Sequence, residues 1–379
     1  MTKSLKELST SLLGKFLGRS GRPVYGRISS PPDLKSEEAT LASLRVRADA
    51  PLANGKSVCE YELHGDRYIA ININLSDDAV VELRHASSET VERVSIENVV
   101  FLFLAHRMHL KSLPVNENWV DEYIAGPAES PDGVELSCLK DRIEPITIFQ
   151  IQPDSIFSEN FSIDRIAHYI MTFDDKYSKA GALSTASLSL IRELFVKERQ
   201  HLAAHALFNT LSATSTRQSF FESYRALEFL FVLPHARALL GELAKVGSLP
   251  NLTAMGLAQT CYKHLGWKRV DRDSIRKLFA EFYDSSLLSF KKVIANATPF
   301  KSLVLPSANP DADDKSAFID KFTDSYYSLR NQVVHCQWDE ISLDDDEWRS
   351  IVDFTLACIH HIYDKHLSVP VGTANPMSP

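Results

Sequence analysis

The chain has 379 residues, of which 44% are hydrophobic and 24% are charged, and its formal net charge at pH 7 is −8. This composition is that of an ordinary soluble globular protein, and the length is sufficient for two domains that each have a core. Residues 1–160 carry 17 basic and 24 acidic side chains and residues 161–379 carry 24 and 25, so neither part is a basic nucleic-acid-binding domain of the usual kind.

The cysteines and the apolar runs indicate the compartment. The 5 cysteines include no Cys-x-x-Cys pair, which argues for a reducing environment and against a disulfide framework or a thiolate zinc site. The longest uninterrupted apolar run, at residues 99–105, is too short to cross a bilayer, and the N-terminus lacks the apolar core of a signal peptide. We therefore expect a cytoplasmic protein with no membrane partner.

The N-terminal part of the chain is predicted to be rich in strands. An amphipathic helix is expected at residues 2–17, and from residue 24 to residue 96 the hydrophobic period shifts toward two, as in half-buried strands. Turn-prone segments separate these runs, which favours an antiparallel sheet or a sandwich. Residues 97–112 fit either a helix or a strand, and we favour a helix. The predicted strands are 44–47, 58–63, 68–73, 80–83 and 146–151.

After Pro153 the pattern turns helical, and the domain boundary is predicted between Pro153 and Glu159. The predicted fold class is α+β, with a β-rich N-terminal domain at residues 1–155, an all-α helical bundle at 160–368 and a disordered tail at 369–379. The predicted helices are 162–173, 185–213 as one or two helices, 217–232, 235–246, 253–265, 272–296 as one or two helices, 315–337 and 346–366.

The helix predicted at 315–337 displays an unusual set of polar residues. Asn331 and His335 are four positions apart and project together from the face opposite its apolar stripe, and Arg330 lies on the flank between these two residues and the stripe. Asp320 and Asp324, also turned away from the stripe, are interpreted as solvated acidic positions. The apolar stripe consists of Phe322, Tyr326, Leu329, Val333 and Cys336.

These residue types are suited to cleaving RNA without a metal. A histidine with a pKa near neutrality can accept and return a proton, and an arginine can neutralise charge that develops on phosphoryl oxygens. Arg330 and His335 are five positions apart, so about 140° separates them on an ideal helix. One helix alone can hardly direct both side chains at a single phosphate. We therefore expect a second copy of the helix, related by a two-fold axis, to complete the site.

The spacing of Arg330, Asn331 and His335 resembles the Arg, polar residue, spacer and His signature of HEPN domains, which occur in ribonucleases and toxins. The segment at 224–230 is similar to the earlier aromatic and Ala-Leu-Glu helix of the Apea-like branch of that family. The resemblance covers the C-terminal half of the chain. It implies an HEPN-like bundle that forms a homodimer through the helix carrying Arg330 and His335.

The resemblance also implies an activity. The chain would be a metal-independent endoribonuclease with an RNA substrate and no cofactor or metal, in which 2′-hydroxyl attack leaves a 2′,3′-cyclic phosphate. His335 would be the general acid or base, Arg330 would stabilise the pentavalent phosphate, and Asn331 would orient His335 or bind a phosphate oxygen. The resemblance further implies a role in prokaryotic defence or as a toxin, with an antitoxin or sensor as a partner. The N-terminal domain would be a sensor or docking surface.

Other functions also fit the sequence. One is a non-catalytic HEPN-like dimerisation or adaptor module, which the acidic chain favours, and another is a nucleotide-binding regulator whose arginine holds phosphate without cutting. Glu228 lies among apolar residues, where a buried carboxylate needs a cationic partner or a raised pKa. It pairs either with Arg330, in a supporting role in the site, or with Arg225 or a backbone donor for structural reasons.

The remaining histidines give weaker signals. His201 and His205 have the spacing of a helical metal pair, but no third ligand is evident, so we do not predict a metal there. A metal is likewise not predicted at His106 and His109. The histidines at 360, 361 and 366 are interpreted as the surface end of a helix rather than as a binding groove.

Overall fold

The computed structural model divides into two compact units, Met1–Asp175 and Lys176–Pro379. The boundary predicted at Pro153 to Glu159 therefore lies before the division, and the helix that follows it belongs to the first unit. The described residues are 4–17, 28, 34–52, 55–95, 97–125, 127, 134–157, 161–174, 183–196, 203–244, 255–256, 258, 271–306, 312–335 and 342–366.

The first unit is built on a five-stranded antiparallel sheet with the strand order β1-β2-β3-β5-β4. Strands β2 and β3 form a tight hairpin in which Leu63 pairs with Asp66. His64 and Gly65 between them have φ values of 54° and 92°, as a two-residue turn of the primed kind requires. The strands are β1 Arg45–Pro51, β2 Ser57–Leu63, β3 Asp66–Ile71, β4 Val91–Val94 and β5 Thr147–Ile151.

Helices cover both faces of this sheet. Cys59 and Tyr61 on one face of β2 share a core with α1 and α4, while Val58 on the other face is also buried and α7 packs against β1 and β2. Lys15 of α1 donates from Nζ to the carbonyls of Ala105 (2.7 Å) and Leu110 near the end of α4. The helices are α1 Leu5–Leu17, α2 Leu34–Ser43, α3 Asp77–Ala86, α4 Asn98–Arg107, α5 Glu117–Val120 with a π turn at Asp121–Ala125, α6 Leu136–Lys140 and α7 Ile163–Met171.

The strand predicted at 80–83 is wrong. Those residues lie in α3, because Ser76 is a helix N-cap whose side chain accepts a hydrogen bond from the Ala79 amide. Asp77 and Asp78 then occupy the first turn, where carboxylates are favoured. The sheet instead contains β4, a strand of four residues that the sequence pattern did not predict. The helix favoured within 97–112 is confirmed as α4.

The second unit is helical throughout its described residues, so the chain as a whole is of mixed α+β class. The two long segments predicted as one or two helices, 185–213 and 272–296, each contain two helices. The second segment is divided at Ser286, between α12 and α13. The helix predicted at 253–265 and the tail at 369–379 fall almost entirely outside the described residues. The helices are α8 Thr185–Val196, α9 Ala204–Ser212, α10 Thr216–Glu228, α11 Leu233–Ala244, α12 Asp271–Ser285, α13 Leu287–Asn296, a 3-10 turn at Thr298–Phe300, α14 Ala312–Val334 and α15 Asp345–His366.

Aromatic side chains form the centre of this bundle. Four helices, α12 to α15, each contribute one phenylalanine to this cluster: Phe279, Phe290, Phe322 and Phe354. The ring centroids are 4.8 Å apart in the pair Phe290–Phe322 and 5.5 Å apart in the pair Phe279–Phe322. Edge-to-face aromatic pairs contribute about 0.5–1.5 kcal/mol beyond the burial of their area. The cluster therefore fixes α14 against three other helices. No described helix is long and apolar enough to cross a membrane.

Candidate functional site

The candidate site lies at the C-terminal end of α14. Leu329 is buried there as the periodicity predicts, but Val333 is only half-buried, and Cys336 lies outside the described residues. The helix ends at Val334 rather than at residue 337. The amide of His335 still donates to the Asn331 carbonyl at 2.9 Å, so His335 continues the last helical turn.

The Arg330 guanidinium is held by two side chains of its own chain. Its Nη2 donates to Glu228 Oε1 at 3.0 Å, and its Nη1 donates to Asn331 Oδ1 at 3.1 Å. Of the partners considered for Glu228, the structure therefore shows Arg330. Arg225 pairs instead with Glu222 at 3.1 Å, one turn earlier on α10.

The ion pair is partly shielded from solvent. The side chains of Arg330 and Glu228 are 20% and 26% exposed, so each remains partly accessible to solvent. Burial alone would lower the pKa of Arg330, but its interactions with Tyr224 and Glu228 raise that pKa above its usual value. Arg330 is therefore a permanent cation at the protein surface, fixed in place but not sealed inside the bundle.

A buried aromatic ring faces the same guanidinium. The central carbon of the Arg330 guanidinium lies 5.2 Å from the centre of the Tyr224 ring, and Tyr224 is fully buried. Burial raises the pKa of Tyr224 far above its ordinary value, although the nearby Arg330 charge opposes the shift, so the phenol is neutral. Within the described chain, neither the Tyr224 hydroxyl nor Arg330 Nε has a hydrogen-bond partner.

His335 stands apart from this cluster. Its side chain is exposed, and among the described residues no hydrogen bond joins its ring to Arg330 or Asn331. The side chains of Arg330, Asn331 and Glu228 are therefore joined by hydrogen bonds within one chain, whereas the His335 ring makes no hydrogen bond to them among the described residues. The absence of a hydrogen bond between His335 and Arg330 agrees with the angle of about 140° that five helical positions impose.

The acidic residues upstream on α14, Asp320 and Asp324, are solvent-exposed as expected, and each also lies beside an arginine of α12. Asp324 accepts from Arg272 Nε, and Asp320 lies 3.7 Å from Arg276 Nε, both arginines belonging to α12. All four side chains remain well exposed, so each pair contributes little to stability. Two cations near the candidate site are therefore already engaged with carboxylates.

Other candidate histidines have ordinary partners. The Nδ1 of His106 is 2.9 Å from the Ser11 hydroxyl, and His360 Nε2 is 2.9 Å from Glu193. His366 contacts Glu281 at the end of α15. The described residues contain no group of three or more His, Cys, Asp or Glu side chains placed to hold a metal, while His201 lies outside them.

Sequence reasoning missed the role of Tyr224. In the sequence Tyr224 is only one member of an aromatic segment. It lies four residues before Glu228 on α10, so both residues face the same neighbour. A tyrosine one turn before a carboxylate that pairs with an arginine is the signal that would have suggested it. The arrangement can hold a guanidinium in one orientation and present its exposed part to an anion.

Comparison with protein-family models, with curated proteins and with solved structures finds no match for this chain.

Proposed function

We propose that this chain is a metal-independent endoribonuclease of the HEPN type. The observation that carries the proposal is the fixed, partly exposed guanidinium of Arg330, which lies beside Asn331 and in the same helical end as the exposed His335. A permanent cation that is oriented before substrate binds can stabilise a phosphorane without further reorganisation. An accessible imidazole supplies the acid–base group that the same reaction needs.

In the proposed reaction the 2′-hydroxyl of RNA attacks the adjacent phosphorus as its proton passes to a base. The 5′-oxygen leaves with a proton from an acid, and the product retains a 2′,3′-cyclic phosphate. His335 serves as one of these groups, and Arg330 neutralises the non-bridging oxygens while charge builds up. Asn331 binds a phosphate oxygen through its side-chain amide nitrogen, since its Oδ1 accepts from Arg330.

The proposed active form is a homodimer through α14. Within one chain the guanidinium is hydrogen-bonded to Asn331 and Glu228 and not to the imidazole, so we infer that a second set of side chains completes the site. A two-fold axis near the end of α14 would place His335 of each chain toward Arg330 of the other. The bundle is then an HEPN-like domain, and the N-terminal unit is a sensor or docking domain in a defence or toxin system.

A second candidate is a non-catalytic dimerisation or adaptor module. It is favoured by the ion pair itself, because Glu228 already compensates the charge that Arg330 would offer to a phosphate. It is also favoured by the net charge of −8, which opposes RNA binding. In that case Arg330 and Glu228 join α14 to α10 and have no chemical role.

Incubation of the purified protein with total RNA in excess EDTA separates the two candidates. The nuclease proposal expects cleavage by the wild type, loss of cleavage in His335→Ala, and full cleavage by His85→Ala. His85 is a matched control because it is also an exposed histidine at the end of a helix, α3. Sedimentation of all three must show the same assembly. A folded dimer whose cleavage is absent, or equal in wild type and His335→Ala, supports the adaptor instead.

A further inference from the structure

We propose that Tyr224 is a positioning residue for the Arg330 guanidinium. The guanidinium lies over the face of the Tyr224 ring, with its central carbon 5.2 Å from the ring centre, while Asn331 and Glu228 each accept a hydrogen bond from it. This inference rests on the proposed function, in which the orientation of Arg330 sets the rate of phosphoryl transfer. Tyr224 touches no substrate and acts only through Arg330.

The Tyr224 ring is itself fixed by the core of the bundle. It stacks on Tyr326 with centroids 5.9 Å apart and an interplanar angle of 25°, and Phe231 meets it edge-on at 5.9 Å. The hydroxyl of Tyr326 lies 2.7 Å from that of Thr355 on α15. A continuous stack therefore runs from the interior of the bundle to the guanidinium, and the ring cannot turn away from Arg330.

The contacts require the ring rather than the hydroxyl. Each Nη nitrogen of Arg330 makes one hydrogen bond to a side chain, and these two bonds alone allow the guanidinium to tilt out of its plane. The Tyr224 ring, 5.2 Å from the central carbon of the guanidinium, limits movement toward that side, and a cation over an aromatic face is also attracted to it. The Tyr224 hydroxyl has no partner within the described chain. Phenylalanine at position 224 should therefore still position the Arg330 guanidinium, whereas leucine should not.

The position of the guanidinium can be measured without any activity. In protein labelled with 15N-arginine, the Arg330 Nε–H signal is identified by its loss in Arg330→Lys. Because Arg330 Nε is buried, we expect this proton to exchange slowly with water. Tyr224→Leu should accelerate the exchange, and Tyr224→Phe should preserve the slow exchange. Phe195→Leu is the control, since Phe195 is a fully buried ring of α8 that stacks on Phe208.

The functional consequence is read from steady-state cleavage at a temperature where all variants are folded. Tyr224→Leu should lower kcat about 10–100-fold with little change in KM, because a displacement of about 1 Å can cost about 100-fold. Tyr224→Phe and Phe195→Leu should remain within about twofold of the wild type.

An unchanged exchange rate of the Arg330 Nε proton in Tyr224→Leu would overturn the positioning role, as would an unchanged kcat in that variant. If the wild type cleaves no RNA, the proposed function fails. The Arg330 signal then still decides whether Tyr224 orients the guanidinium, so the two failures are distinguishable.

Discussion

Arg330 and Glu228 lie 102 positions apart in the chain, and their side chains meet at 3.0 Å where α14 packs against α10. This pair couples the two segments that carry the HEPN resemblance, and it orients the cation of the proposed site. The contact is therefore the structural link between the sequence pattern and the proposed chemistry.

The first prediction concerns the energy of this pair. Glu228→Ala and Arg330→Ala should each destabilise the protein, and the double mutant should show a coupling energy of about 1 kcal/mol, as expected of a partly buried charged hydrogen bond. Urea unfolding of the four proteins gives the coupling. A value below about 0.3 kcal/mol would show that the contact is not formed in solution.

The second prediction concerns the aromatic cluster that fixes α14. Phe322→Ala should lower the free energy of unfolding by about 3–5 kcal/mol, because Phe322 is fully buried and the mutation leaves a cavity among five other rings. Leu288→Ala on α13 is the control. Leu288 is 61% exposed, so its loss should change stability by less than about 0.5 kcal/mol. Equal effects of the two substitutions would contradict the packing described here.

The third prediction concerns the pH dependence of stability. Burial alone would raise the pKa of Glu281, but hydrogen bonds from His366 and Lys365 and the charge of Arg237 lower it to about 2. Because the folded-state pKa lies below the ordinary value of 4.5, the ionised Glu281 stabilises the fold above that pH. This contribution is lost as the pH falls from about 4.5 toward 2.

Glu281→Gln tests the pH prediction. At pH 6 the variant should be less stable than the wild type by up to about 3 kcal/mol, and the difference should shrink as the pH approaches 3. Denaturant unfolding at several pH values measures the difference directly. A constant difference across this range would mean that the carboxylate is not stabilised by its three basic neighbours.

Local sequence signals were sufficient for much of the fold. The 3.6-residue period placed Phe322, Tyr326 and Leu329 in the buried stripe of α14, and period-two alternation identified the hairpin closed by His64 and Gly65. Both signals involve residues close together in the chain. The local structure that these signals predict therefore depends little on which other elements pack against it.

Features that depend on capping or on distant partners were not predictable in the same way. Residues 80–83 alternate like a strand, yet the Ser76 cap makes them helical. Val333 fits the stripe by period but is only half-buried, because it lies in the last turn of α14. The stack of Tyr224 under Arg330 joins two helices about a hundred residues apart, which no local pattern reports.

The most direct test of the central claim is cleavage of a single-stranded RNA compared with the same strand carrying 2′-deoxy sugars, in EDTA. The wild type should cut the RNA alone and leave 2′,3′-cyclic phosphate ends, and His335→Ala should be slower by about 10²–10⁴-fold while remaining a folded dimer. Cleavage of the deoxy strand, 3′-hydroxyl ends, or an unchanged rate in His335→Ala would contradict the account.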